Sequence, residues 1–264
     1  MVILITGITS GFGLEMARRL SGEGHKVYGT HRHASSFLSG VTYIKADSSS
    51  DSDVEAVVKQ VLDAEGRIDI FINNAGMGIG GPLEYCSLED AGRQMDINWM
   101  GMVRYIHHVL PAMRRQRSGT IVCFSSIGGL MGLPYQGLYS ASKFAIEGYC
   151  ESLRLELRGS GIKVVVIEPG DFATGFTASR KSVPAPEVAE AYPGYARSLA
   201  SIEHDENSGL KPEYLARKVS AILRKKHPAH SYIIASPLQK LSVFAKRILP
   251  AKCFAWILSV YYKL

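Results

Sequence analysis

Val2-Ile3-Leu4-Ile5 runs without a break into Thr6-Gly7-Ile8-Thr9-Ser10-Gly11-Phe12-Gly13, and an amphipathic helical pattern opens at the last glycine. An apolar run, a glycine turn and a helix form the first half of a strand–helix–strand unit, and the alternation continues along the chain. Strands are predicted over residues 2–6, 26–30, 42–45, 68–73, 120–125, 163–168 and 232–235. Helices are predicted over residues 13–23, 53–65, 88–98, 99–115, 138–159 and 212–225. The strand segments are rich in Val and Ile, and several lack period-2 alternation, which implies a sheet covered on both faces. The class implied is α/β: a doubly wound parallel sheet of about seven strands flanked by helices. With 46% hydrophobic and 20% charged residues in 264, and no linker, the chain reads as a single domain, 1–264, with ample apolar mass for its core.

Two segments depart from the alternation. Residues 174–210 contain Ser182-Val183-Pro184-Ala185-Pro186 and Tyr192-Pro193-Gly194-Tyr195, and read as a partly helical lid or pocket wall between the last two strands. The tail, 238–264, is apolar, aromatic and basic. Leu238, Leu241, Phe244 or Ala245, and Ile248 keep helical spacing up to Pro250, and Trp256, Val260 and Tyr261 keep it afterwards. The tail is read as a helical element packed on the domain, with a peripheral membrane contact or an oligomer contact as the alternatives.

The glycine loop points to a phosphate. Gly7, Gly11 and Gly13 let the backbone turn tightly and approach a pyrophosphate, while the following helix offers unpaired N–H groups and partial positive charge. The spacing is Gly-x-x-x-Gly-x-Gly rather than the commoner Gly-x-Gly-x-x-Gly. The second strand then bears on the cofactor. A site for NAD usually ends this strand with an acid on the ribose 2′-hydroxyl, but here it ends Thr30-His31-Arg32-His33. Arg32 suits a 2′-phosphate that a carboxylate would repel, and Thr9 and Ser10 add hydroxyl donors, so NADP(H) is preferred over NAD(H). His31 and His33 read as solvated. Asp47, after the third strand, is either an acceptor for the adenine amino group or a helix cap.

Tyr139 and Lys143 stand one helical turn apart on one face. A free phenol titrates near pH 10, and a fixed cation beside it favours the phenolate, so the pair has the parts of a tunable acid/base. Taken alone, the spacing also describes an ordinary exposed helix face. Other chemistries find no pattern. Cys86, Cys123, Cys150 and Cys253 are widely spaced and suggest a reduced, cytoplasmic protein. The histidines make no metal motif, and the net charge of +6 is too diffuse for nucleic acid. No signal segment precedes the first strand and no run approaches the length of a membrane span.

In order and spacing these motifs strongly resemble the short-chain dehydrogenase/reductase family over residues 2–174. The resemblance rests on Thr6–Gly13, Asn73-Asn74-Ala75-Gly76, Asn98, Ser126 thirteen residues before Tyr139, Lys143, and Pro169-Gly170 with Thr174. It implies a Rossmann-type fold and a role for each position. Tyr139 would exchange the proton with the substrate oxygen, and Lys143 would lower its pKa and hold the nicotinamide ribose. Ser126, rather than Ser125, would donate to the substrate carbonyl, and Asn98 would hold a water linking Lys143 to solvent. Asn74, Ala75 and Gly76 would shape the floor under the adenosine. Thr174, with Pro169 and Gly170, would meet the nicotinamide. The short stretch between the second and third strands, 31–41, is expected to be a turn rather than the usual helix, and Asp171 has no assigned role.

Leu130, Met131, Leu133, Pro134, Tyr135, Phe172 and Phe176 suggest apolar substrate walls, hence a lipophilic ketone or secondary alcohol. A homodimer or homotetramer is a family expectation. The alternative to an enzyme is a catalytically silent NADP(H)-binding or membrane-surface protein, against which the complete Asn98, Ser126, Tyr139 and Lys143 set argues.

Overall fold

All four residues of β1 (Val2–Ile5) are buried, as a strand covered on both faces requires. The computed structural model, which describes residues 1–33 and 37–264, places it near the middle of a seven-stranded sheet. The order across that sheet is β3 (Val41–Lys45), β2 (Lys26–His31), β1, β4 (Ile70–Asn73), β6 (Gly119–Phe124), β7 (Ile162–Pro169) and β9 (Ser231–Ile234), and every pairing is parallel. β5 (Ile79–Gly80) and β8 (Lys181–Ser182) pair with each other outside it.

Alternate β1 side chains feed two cores. Val2 and Leu4 join α2 (Asp51–Glu65), α4 (Gly101–Gln116) and α5 (Gly137–Glu156). Ile3 and Ile5 join α1 (Gly11–Gly22) and α9 (Pro212–Leu223) on the opposite face. Helix boundaries follow local chemistry. The Ser50 hydroxyl caps α2 by accepting from Asp53 N at 3.2 Å, and Gly66 closes it at φ +70°.

The two helices predicted over 88–98 and 99–115 are one continuous rod. α3 (Leu88–Met95) passes through a π-helical turn, Asp96–Met100, into α4. Residues 32–33 and 37–40 lie in loop and turn. The expectation of a turn over 31–41 also rests on residues 34–36, which lie outside the described residues.

Residues 174–210 carry α6 (Phe176–Ser179), β8, α7 (Ala185–Val188) and α8 (Tyr195–Asn207). The segment is tied down at several points: Arg180 to Glu206 at 2.6 Å, Lys181 to Asp90 at 2.7 Å, and a bridge between Phe172 and Leu210. The tail forms α10 (Pro237–Ile248), opened by a Ser236/Gln239 capping box, and α11 (Ala251–Tyr261). Val243 and Phe254 of this hairpin pack on Ile127 and Met131, beyond the end of β6.

From β1 the chain winds outward to β2 and β3, and from β4 it winds the other way. That reversal leaves a crevice outside the C-terminal ends of β1 and β4, where open α/β sheets bind ligands.

Candidate active site

The crevice is a cavity of about 560 Å³ that runs from Arg32 and Asp47, past the glycine loop, to Tyr139 and on to the tail. Its first wall is the β1–α1 loop, clamped to the loop after β4. Thr6 Oγ1 accepts from Asn74 N at 3.0 Å and Ala75 N at 2.9 Å, and Asn74 Nδ2 donates to Thr6 O at 3.0 Å and Gly7 O at 2.9 Å. Gly7 and Gly11 turn at φ +71° and +53°, where a side chain would strain the backbone. A Cβ on Gly13 would overlap Gly7 O and Asn74 Nδ2, so this position requires glycine for close approach. Ser10 makes no side-chain cap bond and the first turn of α1 carries no acid, which leaves a helix N-terminus open to an anion. Thr9, Ser10, Gly11 and Phe12 all line the cavity, and Phe12 is anchored edge-on against Phe172 at 4.9 Å.

Arg32 is exposed on the rim directly after β2. Asp47 faces it, but its Oδ1 already accepts from Ser49 N at 2.9 Å and Ser49 Oγ at 2.7 Å. These bonds, the backbone one first, hold its carboxyl below the usual range, with a smaller contribution from Arg32. Asp47 is not the α2 cap, which is Ser50. His31, expected to be solvated, is half-buried against Tyr43 and Phe37, and burial pushes its pKa down.

The other end gathers the polar set. Ser126 Oγ accepts from Gly128 N at 3.0 Å at the end of β6. Ser125 turns instead toward α5, donating to Lys143 O at 3.3 Å. Lys143 is buried, its Nζ donates to Phe124 O at 2.8 Å, and it lies 5.5 Å from the centroid of the Tyr139 ring. Burial brings its ammonium down to about 8. Burial pushes the Tyr139 phenol up to about 12, against the pull of the neighbouring Ser126 hydroxyl. The phenol is thus raised where the sequence suggested a Lys143-driven lowering. Desolvation, reinforced by the Glu206 and Asp171 carboxylates, outweighs the Ser126 bond and the Arg180 charge.

Asn98 sits fully buried in the π-helical turn. Its side chain accepts from Met77 N at 2.8 Å and donates to Met77 O and Ser142 Oγ, each at 3.0 Å. It therefore ties the loop after β4 to α5. Gly13 and Asn98 shape the cavity from behind, whereas Gly76, Pro169, Gly170 and Thr174 line it. Of the predicted apolar walls, Met131, Leu133, Phe172 and Phe176 line the cavity, but Leu130, Pro134 and Tyr135 do not. Tyr135 turns away to pack on Tyr195 at 4.8 Å. Asp171 lines the cavity, bonded by Gln239 Nε2 at 2.6 Å, with burial raising its carboxyl to about 6. Thr6 and Gln239 are missing from the sequence-predicted set. Thr6 stood inside the quoted loop, while Gln239 comes to the site only through the fold.

The sequence profile of the short chain dehydrogenase family matches residues 1–184. A 3-ketodihydrosphingosine reductase of Bacteroides thetaiotaomicron is 43% identical over 99% of this chain and 97% of its own length. Estradiol 17-beta-dehydrogenase 1 of Rattus norvegicus is 35% identical over 88% of this chain and 72% of its own. Among solved structures, a short-chain dehydrogenase from Streptomyces avermitilis superposes with a TM-score of 0.82 at 26% identity, covering 99% of this chain and 96% of that one.

Proposed function

Since the chain belongs to the short-chain dehydrogenase family, and is thereby an oxidoreductase acting between carbonyl and alcohol groups, we propose that it is an NADP(H)-dependent reductase of lipophilic ketones with Tyr139 as its proton donor. The observation that carries this reading is the continuity of one cavity, with the glycine cradle and Arg32 at one end and Ser126, Tyr139 and Lys143 at the other.

The cradle fits a nicotinamide dinucleotide: a helix N-terminus without a capping side chain, with glycine where a Cβ would overlap Gly7 O. When bound, that cofactor would supply the hydride. Gly7, Thr9, Ser10, Gly11, Phe12 and Gly13 would hold its pyrophosphate. Asn74, Ala75 and Gly76 would floor the adenosine side, and Pro169, Gly170 and Thr174 would meet the nicotinamide. Arg32, with no carboxylate at the end of β2, favours a 2′-phosphate over a bare ribose hydroxyl. Asp47 keeps an acceptor for adenine only through Oδ2, since Ser49 holds Oδ1.

Negative charge develops on the substrate oxygen as a carbonyl becomes an alcohol. Ser126 and Tyr139 are the donors that meet it. A phenol raised to about 12 is protonated at neutral pH, so Tyr139 arrives with the proton it must give. Lys143, held by Phe124 O, supplies the positive charge behind the phenolate that remains. Asn98 Nδ2 donates twice and Oδ1 accepts once, which leaves one Oδ1 lone pair for a water in a relay from Lys143. Apolar walls from Met131, Leu133, Phe172 and Phe176 support a lipophilic substrate, as do relatives named for 3-ketodihydrosphingosine and estradiol. Residues 174–210 act as the lid. All four cysteines are free, in keeping with the reducing cytoplasm, and a homodimer or homotetramer accords with the family.

The test is Tyr139→Phe assayed with NADPH against a panel of ketones from steroid to short-chain. NADPH binding is expected to persist, while turnover falls by roughly 10²–10⁴. A variant with full turnover refutes the mechanism.

A further inference from the structure

The α10–α11 hairpin buries one side and leaves the other apolar. Val243 and Phe254 face the domain, whereas Leu241, Phe244, Ile248, Trp256, Val260 and Leu264 are each 57–67% exposed. On α10 three of these follow a spacing of three and four, and on α11 Trp256 and Val260 stand four apart, so each helix shows an apolar face, with Leu264 past the end of α11. A contiguous face of this kind marks an interaction surface.

The charges carried by the hairpin itself have one sign. Lys240, Lys246, Arg247, Lys252 and Lys263 are exposed, and no acidic residue follows Glu213. Among the described residues none of these five cations is in a salt bridge. Lys246 instead lies over the Phe254 ring at 5.3 Å, bridging the two helices. A second copy docked symmetrically on this face would set the same cations against each other, and Asp205, a carboxylate at its edge, is already bonded by Tyr261 Oη at 2.8 Å. An anionic lipid surface answers both halves of the pattern, apolar face to acyl chains and cations to headgroups.

The face also continues into the catalytic cavity. Leu238, Ile257 and Tyr261 are partly or largely exposed and at the same time line the cavity. No helix among the described residues is long and apolar enough to cross a membrane, so contact would be made at a surface.

We propose that the α10–α11 hairpin docks this protein on anionic bilayers, with the cavity opening toward the lipid. The purpose assigned to the docking rests on the lipophilic-substrate reading; the docking itself does not.

Co-sedimentation of the full chain with phosphatidylcholine vesicles, with and without phosphatidylserine, tests it. Binding is expected only with phosphatidylserine, with roughly fivefold tighter binding for each cation near the surface and loss at high salt. Leu241→Glu with Trp256→Glu, both exposed and outside the cavity lining, should weaken vesicle binding at least about tenfold while turnover of a water-soluble ketone stays unchanged. The proposal is overturned if the wild type ignores anionic vesicles, or if the double variant binds them equally well. It is also overturned if the double variant merely converts a dimer to a monomer with no vesicle binding in either form. Assays on a detergent-dispersed ketone separate the two readings. Reduction without vesicle binding removes the docking alone, and vesicle binding without reduction of any lipophilic ketone removes the substrate reading alone.

Discussion

At the scale of single residues, burial governs the chemistry of the pair on α5. Lys143 titrates near 8 rather than at its ordinary 10.5, so its charge is present at neutral pH and fades as pH rises through about 8. Tyr139, near 12, keeps its proton across the same range. The kcat/KM for ketone reduction at saturating cofactor is therefore expected to be level up to about pH 8 and to fall above it. A profile that stays level to pH 10 would remove Lys143 from the mechanism. The Tyr139–Lys143 spacing was legible in the sequence. The direction of the Tyr139 shift was not, because desolvation depends on what closes over the ring. Phe176, 37 residues further along, is one such neighbour, 5.6 Å away between ring centroids.

At the scale of elements, all seven predicted strands of the main sheet are present, since Val- and Ile-rich runs between glycine turns signal buried parallel strands. The π-helical turn at Asp96–Met100 was hidden, because its register depends on Asn98 bonding Met77 and Ser142 from two other segments. The two-residue β5–β8 ladder was equally invisible, being too short for any periodicity. β7 carries a burden of its own. Glu168 is buried with Oε2 unpartnered, and burial, reinforced by Glu147, raises its carboxyl from 4.5 to about 7. The folded state thus binds this proton more tightly than the unfolded chain. The resulting stability is fully present below pH 4.5 and is lost as pH rises through about 7, on the order of 3 kcal/mol in all. Glu168→Gln should raise Tm by several degrees above pH 7 and flatten its decline between pH 4.5 and 7, as read by thermal unfolding. A Tm profile parallel to the wild type would exclude this carboxyl as the cause.

At the scale of the whole molecule, the cavity joins parts from both ends of the chain, so ligand binding and global stability are linked. NADPH at a hundred times its Kd should stabilise the fold by about 2.7 kcal/mol. At equal concentrations NADPH is expected to raise Tm more than NADH, and Arg32→Asp should reverse that order. An unchanged order in the variant would remove Arg32 from cofactor choice. The end of the cavity lined by the glycine loop was readable in the sequence because its motifs are local. The other end was only outlined, because Gln239, Ile257 and Tyr261 reach it through tertiary packing of the tail. That placement also sets an order of events during synthesis. Gly7–Gly13, Arg32, Asp47 and Asn74–Gly76 lie within the first 76 residues, whereas the hairpin that walls the other end of the cavity begins only at Pro237. During synthesis the glycine loop therefore leaves the ribosome well before the hairpin, and the pocket beside it stays unclosed until α10 and α11 follow and dock.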